Sequence, residues 1–124
     1  MTKILLVDDE NLILYSLTKT LKQAGADVTA VMNGKDALAE IRRCSYDICF
    51  LDVNLPDANG LDLIKTFQEI SPGTAIIVMT ALYLDEKRIQ SLRDRGCLYL
   101  EKPFNLDHVI GIVSEISGRK NVAN

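Results

Sequence analysis

The 124-residue chain contains no tryptophan, and its aromatic residues amount to 6%. It also lacks a long apolar run, because no stretch approaches the roughly 20 residues that a membrane-spanning helix requires. The short apolar stretch after Met1 reaches Asp8 and Asp9 too soon to form a signal peptide. We therefore expect no membrane span, and we expect a cytoplasmic location.

An excess of basic residues is absent as well. Fourteen Lys and Arg stand against 17 Asp and Glu, which gives a formal net charge of −3 and an isoelectric point near 5.1. Binding to nucleic acid or to an anionic membrane requires a clustered basic surface. The charge balance thus argues against direct nucleic acid binding and against membrane binding.

Cysteine and histidine are scarce. Cys44, Cys49 and Cys97 are odd in number and lack the paired spacing of a disulfide or metal framework, so we predict reduced, packed thiols. The one histidine, His108, lies in a helix-like stretch with no cysteine beside it. We expect it to be a partly exposed helix residue and neither a metal ligand nor a catalyst.

Short apolar runs alternate with longer segments of helical periodicity, and this alternation predicts a fold. Five strands are predicted at Ile4–Val7, Val28–Val31, Ile48–Leu51, Ala75–Met79 and Leu98–Leu100. One helix is predicted with Leu14, Leu17, Leu21 and Ala24 on one face, and a second with Ala37, Leu38 and Ile41 on one face. Three more helices are predicted over Leu61–Ile70, Asp85–Arg95 and Leu106–Ser117. In the last helix we expect Asn105 as the N-cap and Leu106, Val109, Ile110, Val113 and Ile116 facing inward.

The predicted fold class is therefore α/β: a flavodoxin-like (βα)5 fold with a doubly wound, five-stranded parallel sheet. We expect one domain over residues 1–118 and a polar tail over 119–124.

Polar residues stand where the predicted strands end. Asp8 and Asp9 follow the first strand, Asp52 ends the third, Thr80 ends the fourth and Lys102 lies just past the fifth. A single aspartate after a strand is commonly only a helix cap. Five polar groups at successive strand ends would meet at one edge of the sheet, which is where such folds bind ligands.

The charges of these residues indicate a cation. Two unit charges about 4 Å apart repel by roughly 4 kcal/mol at an effective dielectric near 20. Lys102 alone cannot offset Asp8, Asp9 and Asp52, and hard oxygen ligands favour Mg²⁺ or Mn²⁺. With the cation bound, one carboxylate can attack phosphorus while Lys102 neutralises the phosphoryl oxygens and Thr80 donates a hydrogen bond to one of them.

Four segments give the chain a resemblance to the receiver domains of two-component response regulators, and the resemblance covers nearly the whole chain. The segments are Leu6-Val7-Asp8-Asp9-Glu10, Leu51-Asp52-Val53-Asn54-Leu55-Pro56 followed by Gly60, Met79-Thr80-Ala81, and Tyr99-Leu100-Glu101-Lys102-Pro103-Phe104.

This resemblance implies that Asp52 accepts a phosphoryl group from a sensor histidine kinase or a phosphotransfer protein in a Mg²⁺-dependent reaction. It implies that Asp9 and Asp52 bind the cation through their side chains and Asn54 through its backbone carbonyl, while Asp8 holds a water of the metal. The domain would be a phosphoacceptor for signalling, not an enzyme with a substrate of its own. Its output would be an altered surface for a downstream protein.

Further roles follow from the same resemblance. Lys102 would contact the phosphoryl group, and the Lys102–Pro103 peptide bond would be cis. Thr80 and Tyr99 would form the switch, with the Tyr99 ring turning inward when Thr80 moves. We also expect Asn54 and Leu82, two residues after Asp52 and Thr80 respectively, to tune the phosphoryl lifetime.

Other interpretations were weighed against this one. In a flavodoxin-like electron carrier the cofactor phosphate would be repelled by Asp8, Asp9 and Glu10. A haloacid-dehalogenase-type phosphatase needs a second aspartate where Asn54 stands. A pseudo-receiver that only binds partners stays open, as does a receiver cut from a longer regulator. The chain could be a single-domain regulator or a receiver cut from a longer regulator. We expect a single-domain regulator, because the sequence begins with Met1 and ends in a polar tail.

Overall fold

Strands and helices alternate along the chain in the predicted order. The computed structural model describes the backbone of residues 1–122 and the side chains of residues 1–118. The elements are β1 (Lys3–Val7), α1 (Asn11–Gln23), β2 (Asp27–Val31), α2 (Gly34–Arg43), β3 (Ile48–Asp52), α3 (Gly60–Ile70), β4 (Ala75–Thr80), α4 (Glu86–Asp94), β5 (Leu98–Glu101) and α5 (Leu106–Val122).

The strands form one five-stranded sheet in the order β2-β1-β3-β4-β5, and every pairing is parallel. The predicted doubly wound (βα)5 fold is confirmed. The strand order reverses between β1 and β3, where Val7 lies opposite Leu51. Ligands of such sheets bind at the carboxyl ends of the strands beside this reversal.

Two hydrophobic cores lie on opposite faces of the sheet, and the central strands supply both. In β3, Cys49 and Leu51 pack toward α2, α3 and α4, whereas Ile48 and Phe50 pack toward α1 and α5. Burial on both faces explains why this strand shows no polar alternation.

The cysteines and the histidine lie where the sequence predicted. Cys49 and Cys97 are buried and Cys44 is half-buried, and all three are free thiols. His108 is exposed on α5.

The fifth helix differs from the prediction at its far end. Its start is as expected, since the Asn105 side chain accepts a hydrogen bond from Asp107 N at 2.7 Å. The helix then continues past Ser117 to Val122, so residues 119–122 of the expected polar tail are helical. A glycine costs a helix only about 1 kcal/mol relative to alanine, so Gly118 does not end it. Residues 123 and 124 lie outside the described residues.

Two residues predicted on buried helix faces are exposed because each lies at a helix end. Leu106, at the first position of α5, is 37% exposed and lines a groove with Leu12 and Phe104. Ala24 is the exposed C-cap of α1. Within the described part of the chain, no helix is both long enough and apolar enough to cross a membrane.

Candidate functional site

Backbone hydrogen bonds continue the parallel strand pairing past the carboxyl ends of β1 and β5. The predicted polar residues that follow these strands are therefore brought to the same edge of the sheet. Asp8 N donates to Val31 O at 3.2 Å directly after β1. Lys102 N donates to Thr80 O at 2.8 Å directly after β5. These backbone bonds continue the strand pairing to Asp8 and Lys102.

A buried ion pair network lies at the centre of this edge. Asp8 is fully buried and Asp52 is 3% exposed. Lys102 Nζ lies 2.8 Å from Asp8 Oδ2 and 3.4 Å from Asp52 Oδ2. The lysine thus bridges the two buried carboxylates, as the strand-end pattern predicted.

Glu10 joins this network, although the sequence analysis assigned it no role. Its Oε1 lies 3.1 Å from Lys102 Nζ, and its backbone N donates to Asp8 Oδ1 at 2.9 Å. Asp8, Glu10 and Asp52 offer carboxylate oxygens that lie within 4.8 Å of one another. Asp9 is exposed and does not belong to this group of described residues. The sequence signal that could have indicated Glu10 is its place in the segment Leu6-Val7-Asp8-Asp9-Glu10.

Burial and charge shift the pKa values of two groups in the network. Burial, followed by the negative charge of Asp8, raises the pKa of Asp52 to about 6, against the opposing effect of Lys102. Burial opposes the charge on Lys102, but its close contacts with Asp8 and Glu10 and the charge of Asp52 outweigh burial and raise its pKa. At neutral pH, Asp52 is therefore mostly a carboxylate beside an ammonium group.

The donor set fits a divalent cation. Asp8 Oδ2 is buried and pairs with Lys102 by charge, yet it accepts no well-aligned hydrogen bond from the described residues. The Lys102 ammonium 2.8 Å away also contacts Glu10 and Asp52, so one positive charge is shared by three carboxylates. Three carboxylates are also the hard oxygen donors that Mg²⁺ or Mn²⁺ prefers.

The remaining predicted site residues flank the buried carboxylates. Thr80 is 1% exposed, and its Oγ1 accepts a hydrogen bond from Leu82 N at 2.9 Å. The Leu82 side chain is 55% exposed. Asn54 is exposed, and its backbone N donates to Asp52 Oδ1 at 3.3 Å. Thr80 is thus engaged by the backbone of the loop that leads to α4.

Tyr99, the predicted switch residue, is held by an acid that the sequence analysis did not single out. Its hydroxyl donates to Glu101 Oε1 at 3.0 Å, and its ring packs partly against the core beneath α3 and α4. Burial, the hydrogen bond to Glu101 and the charge of that acid raise the pKa of Tyr99. In the sheet Glu101 lies opposite Thr80, and Tyr99 lies opposite Val78.

The β3–α3 loop returns to the strand from which it leaves. Gly60 N donates to Val53 O at 2.7 Å, and Leu55 N donates to Ala58 O at 3.2 Å. A Cβ at Gly60 would overlap the backbone carbonyl of Asp52, so only glycine allows this close approach. At the opposite side of the site, the Lys102–Pro103 bond is cis, as the resemblance implied.

The comparison with known protein families agrees with this arrangement. A model of the response regulator receiver domain matches residues 4–114. The chain belongs to this family.

Receiver domains with similar sequences and structures span most of the chain. A two-component response regulator from Clostridium difficile is 30% identical, with a TM-score of 0.90 over 98% of this chain and 99% of that one. The chemotaxis protein CheY of Thermotoga maritima is 28% identical, covering 93% of this chain and 97% of CheY.

A longer relative is the transcriptional regulatory protein CusR of Escherichia coli K12. It is 33% identical over 94% of this chain and 52% of CusR. The chain thus spans about half the length of this regulator. This receiver domain is therefore homologous both to a protein of its own length and to one twice as long.

Proposed function

We propose that Asp52 is the phosphoacceptor of this receiver domain. The observation that carries the proposal is the position of Lys102 Nζ, 3.4 Å from Asp52 Oδ2 and 2.8 Å from Asp8 Oδ2. A fixed ammonium group beside a buried carboxylate is suited to neutralise the oxygens of an incoming phosphoryl group.

The proposed step is a transfer of one phosphoryl group. An oxygen of Asp52 forms the new bond to phosphorus as the bond from phosphorus to the donor breaks. Lys102 stabilises the negative charge on the phosphoryl oxygens, and the Thr80 hydroxyl, which accepts a bond from Leu82 N, donates its own hydrogen to one of them. Asp52 is suited to attack because it is mostly ionised at neutral pH.

Mg²⁺ or Mn²⁺ would be held by the side chains of Asp9 and Asp52 and by the backbone carbonyl of Asn54, and Asp8 would hold a water of the metal. When bound, the cation supplies positive charge that offsets the charge of the carboxylates and of the phosphoryl oxygens. Support for this assignment comes from the carboxylates of Asp8, Glu10 and Asp52, whose oxygens lie within 4.8 Å of one another and share one ammonium group.

The donor in this proposal is a sensor histidine kinase or a phosphotransfer protein, since receiver domains interact with such kinases and with downstream effectors. Phosphorylation then favours one of two states of the surface formed by α4, β5 and α5, with Thr80 and Tyr99 as the link. The recipient is a downstream protein, and neither nucleic acid nor a membrane is contacted directly. Because such kinases draw on cytoplasmic ATP, we place the domain in the cytoplasm.

Intact mass measurement after incubation with acetyl phosphate and Mg²⁺ tests the proposal. The parent protein and an Asp62→Asn control should each gain one phosphoryl group, and Asp52→Asn should gain none. An adduct that persists in Asp52→Asn would contradict the assignment of Asp52. Absence of an adduct in the parent with every donor tried would favour a pseudo-receiver.

A further inference from the structure

The tip of the β3–α3 loop is fastened to a distant helix by one aspartate. Asp57 Oδ1 accepts a hydrogen bond from Gly34 N at 2.7 Å, and Asp57 Oδ2 accepts one from Lys35 N at 3.0 Å. Both donors are the first backbone groups of α2, which carry partial positive charge. These bonds from Gly34 and Lys35 lower the pKa of Asp57. We call this pair of hydrogen bonds the loop tether.

The loop tether and Asn33 together cap the N-terminus of α2. Asn33 Oδ1 accepts from Asp36 N at 2.8 Å, and Asn33 O accepts from Ala37 N at 3.1 Å. Asn33 therefore satisfies the third and fourth helix donors, whereas Asp57 satisfies the first two. The two contributions can be removed separately by substitution.

The same loop carries Asn54, between the tether and Asp52. Asn54 N donates to Asp52 Oδ1 at 3.3 Å, and Asn54 pairs with Asn59 across the loop. The Gly60 end of the loop is fixed to Val53 by a 2.7 Å hydrogen bond. The loop is thus held at its base by Gly60 and at its tip by Asp57.

From this arrangement we infer that Asp57 is a positioning residue for the cation site, because it holds the Asn54 backbone in the orientation that the cation requires. The inference rests on the proposed function, in which the Asn54 carbonyl binds the cation. Asp57 itself touches neither the cation nor Asp52 in this role. Removal of a group that supports a metal ligand commonly weakens metal binding by about 10-fold to 100-fold.

Mg²⁺ titration by calorimetry, without a phosphodonor, tests this role. Asp57→Ala should weaken Mg²⁺ binding about tenfold, and Asp57→Asn, which keeps one acceptor oxygen, should weaken it less. Asn33→Ala is the matched control, because it removes a cap from the same helix end and leaves the tether intact. Its Mg²⁺ affinity should equal that of the parent, even though its helix is less stable.

The reciprocal effect provides a second measurement. Coupling between two sites acts equally in both directions. The factor by which the tether raises the affinity for Mg²⁺ is therefore also the factor by which saturating Mg²⁺ should stabilise the tether. Amide exchange at Gly34 and Lys35 should therefore slow about tenfold in Mg²⁺. This measurement uses the unsubstituted protein and does not depend on the folding of any variant.

The outcomes separate this inference from the proposed function. Unchanged Mg²⁺ affinity in Asp57→Ala, or an equal loss in Asn33→Ala, would overturn the positioning role. An Asp8→Ala variant is titrated alongside. If Asp8→Ala loses Mg²⁺ binding while Asp57→Ala keeps it, only the positioning role fails. If both bind as the parent does, the proposed cation site itself is wrong.

Discussion

Lys102 Nζ lies 2.8 Å from the Oδ2 atom of Asp8, and both side chains are almost completely withdrawn from solvent. The lysine directly follows the last strand along the chain, and the aspartate directly follows the first strand. One ammonium group therefore faces the buried carboxylates of both Asp8 and Asp52.

Replacement of Lys102 by methionine should destabilise the metal-free protein by about 3–5 kcal/mol, because two buried carboxylates lose their partner. Mg²⁺ should restore part of the loss. Urea unfolding with and without Mg²⁺ measures both effects, and Lys22→Met on the exposed side of α1 is the control. Equal stability of Lys102→Met and the parent would show that the ion pair is dispensable.

The stability of the metal-free protein should depend on the protonation of Asp52. Its folded pKa of about 6 lies above the ordinary aspartate value. The contribution of Asp52 to the free energy of unfolding is thus fully present below its unfolded pKa near 3.9, and it is lost as the pH rises through its folded pKa of about 6. Urea unfolding in the presence of a chelator should show that the free energy of unfolding of the parent falls between pH 4 and pH 7. This fall should be smaller in Asp52→Asn. Parallel curves for the two proteins would contradict the raised pKa.

Gly60→Ala should destabilise the protein by more than about 2 kcal/mol, because the added Cβ overlaps the Asp52 carbonyl. Gly111→Ala is the matched control, since a Cβ there meets no atom within 4 Å on helix α5. It should stabilise the protein by up to about 1 kcal/mol. Thermal unfolding of both variants checks the opposite signs, and a neutral Gly60→Ala would refute the close approach.

The phosphoryl lifetime should respond to Leu82, whose exposed aliphatic side chain cannot hold an attacking water. Leu82→Glu should hasten dephosphorylation about tenfold by orienting such a water, and Asn54→Leu should slow it. Phosphate release after removal of the donor gives the rates. Tyr83→Glu is the control at the neighbouring residue, which is 87% exposed. A Leu82→Glu variant as slow as the parent would show that this position does not govern water access.

Phosphorylation should alter the surface formed by α4, β5 and α5. A bond from the Thr80 hydroxyl to a phosphoryl oxygen draws in the Leu82 backbone that donates to the same hydroxyl, and an inward turn of Tyr99 requires loss of its bond to Glu101. Amide exchange with and without beryllofluoride should differ between Thr80 and Ile110 in the parent and not in Asp52→Asn. Identical exchange in the parent under both conditions would count against the switch.

The sequence predicted the sheet and the buried network because both depend on local patterns. Apolar runs located the strands, and parallel pairing brought their carboxyl ends together, so Lys102 contacts Asp8 and Asp52. Asp9 was also expected in this cluster, but it is exposed, and Glu10 contacts Lys102 instead. The expected end of α5 at Ser117 was wrong because one glycine is a weak stop signal.

Contacts made by side chains across the fold could not be predicted in the same way. The tether joins Asp57 to Gly34, and nothing in either local sequence indicates that a loop aspartate would cap a helix 23 residues earlier. Glu10 was visible in its motif, but its contact with Lys102 depends on the direction of a flexible side chain. The same holds for the bond between Tyr99 and Glu101.

The site residues are contributed by two successive parts of the chain. A cut at the exposed turn Pro72-Gly73 would leave Asp8 and Asp52 on one fragment and Thr80 and Lys102 on the other. Neither fragment alone would contain the ion pair between Lys102 and the buried carboxylates. Because β3 and β4 pair along their length, the fragments have an apolar strand edge through which to reassemble. Recovered phosphoacceptor activity in a mixture of the two would then report their complementation, so the site could serve as a sensor of association between proteins fused to the fragments.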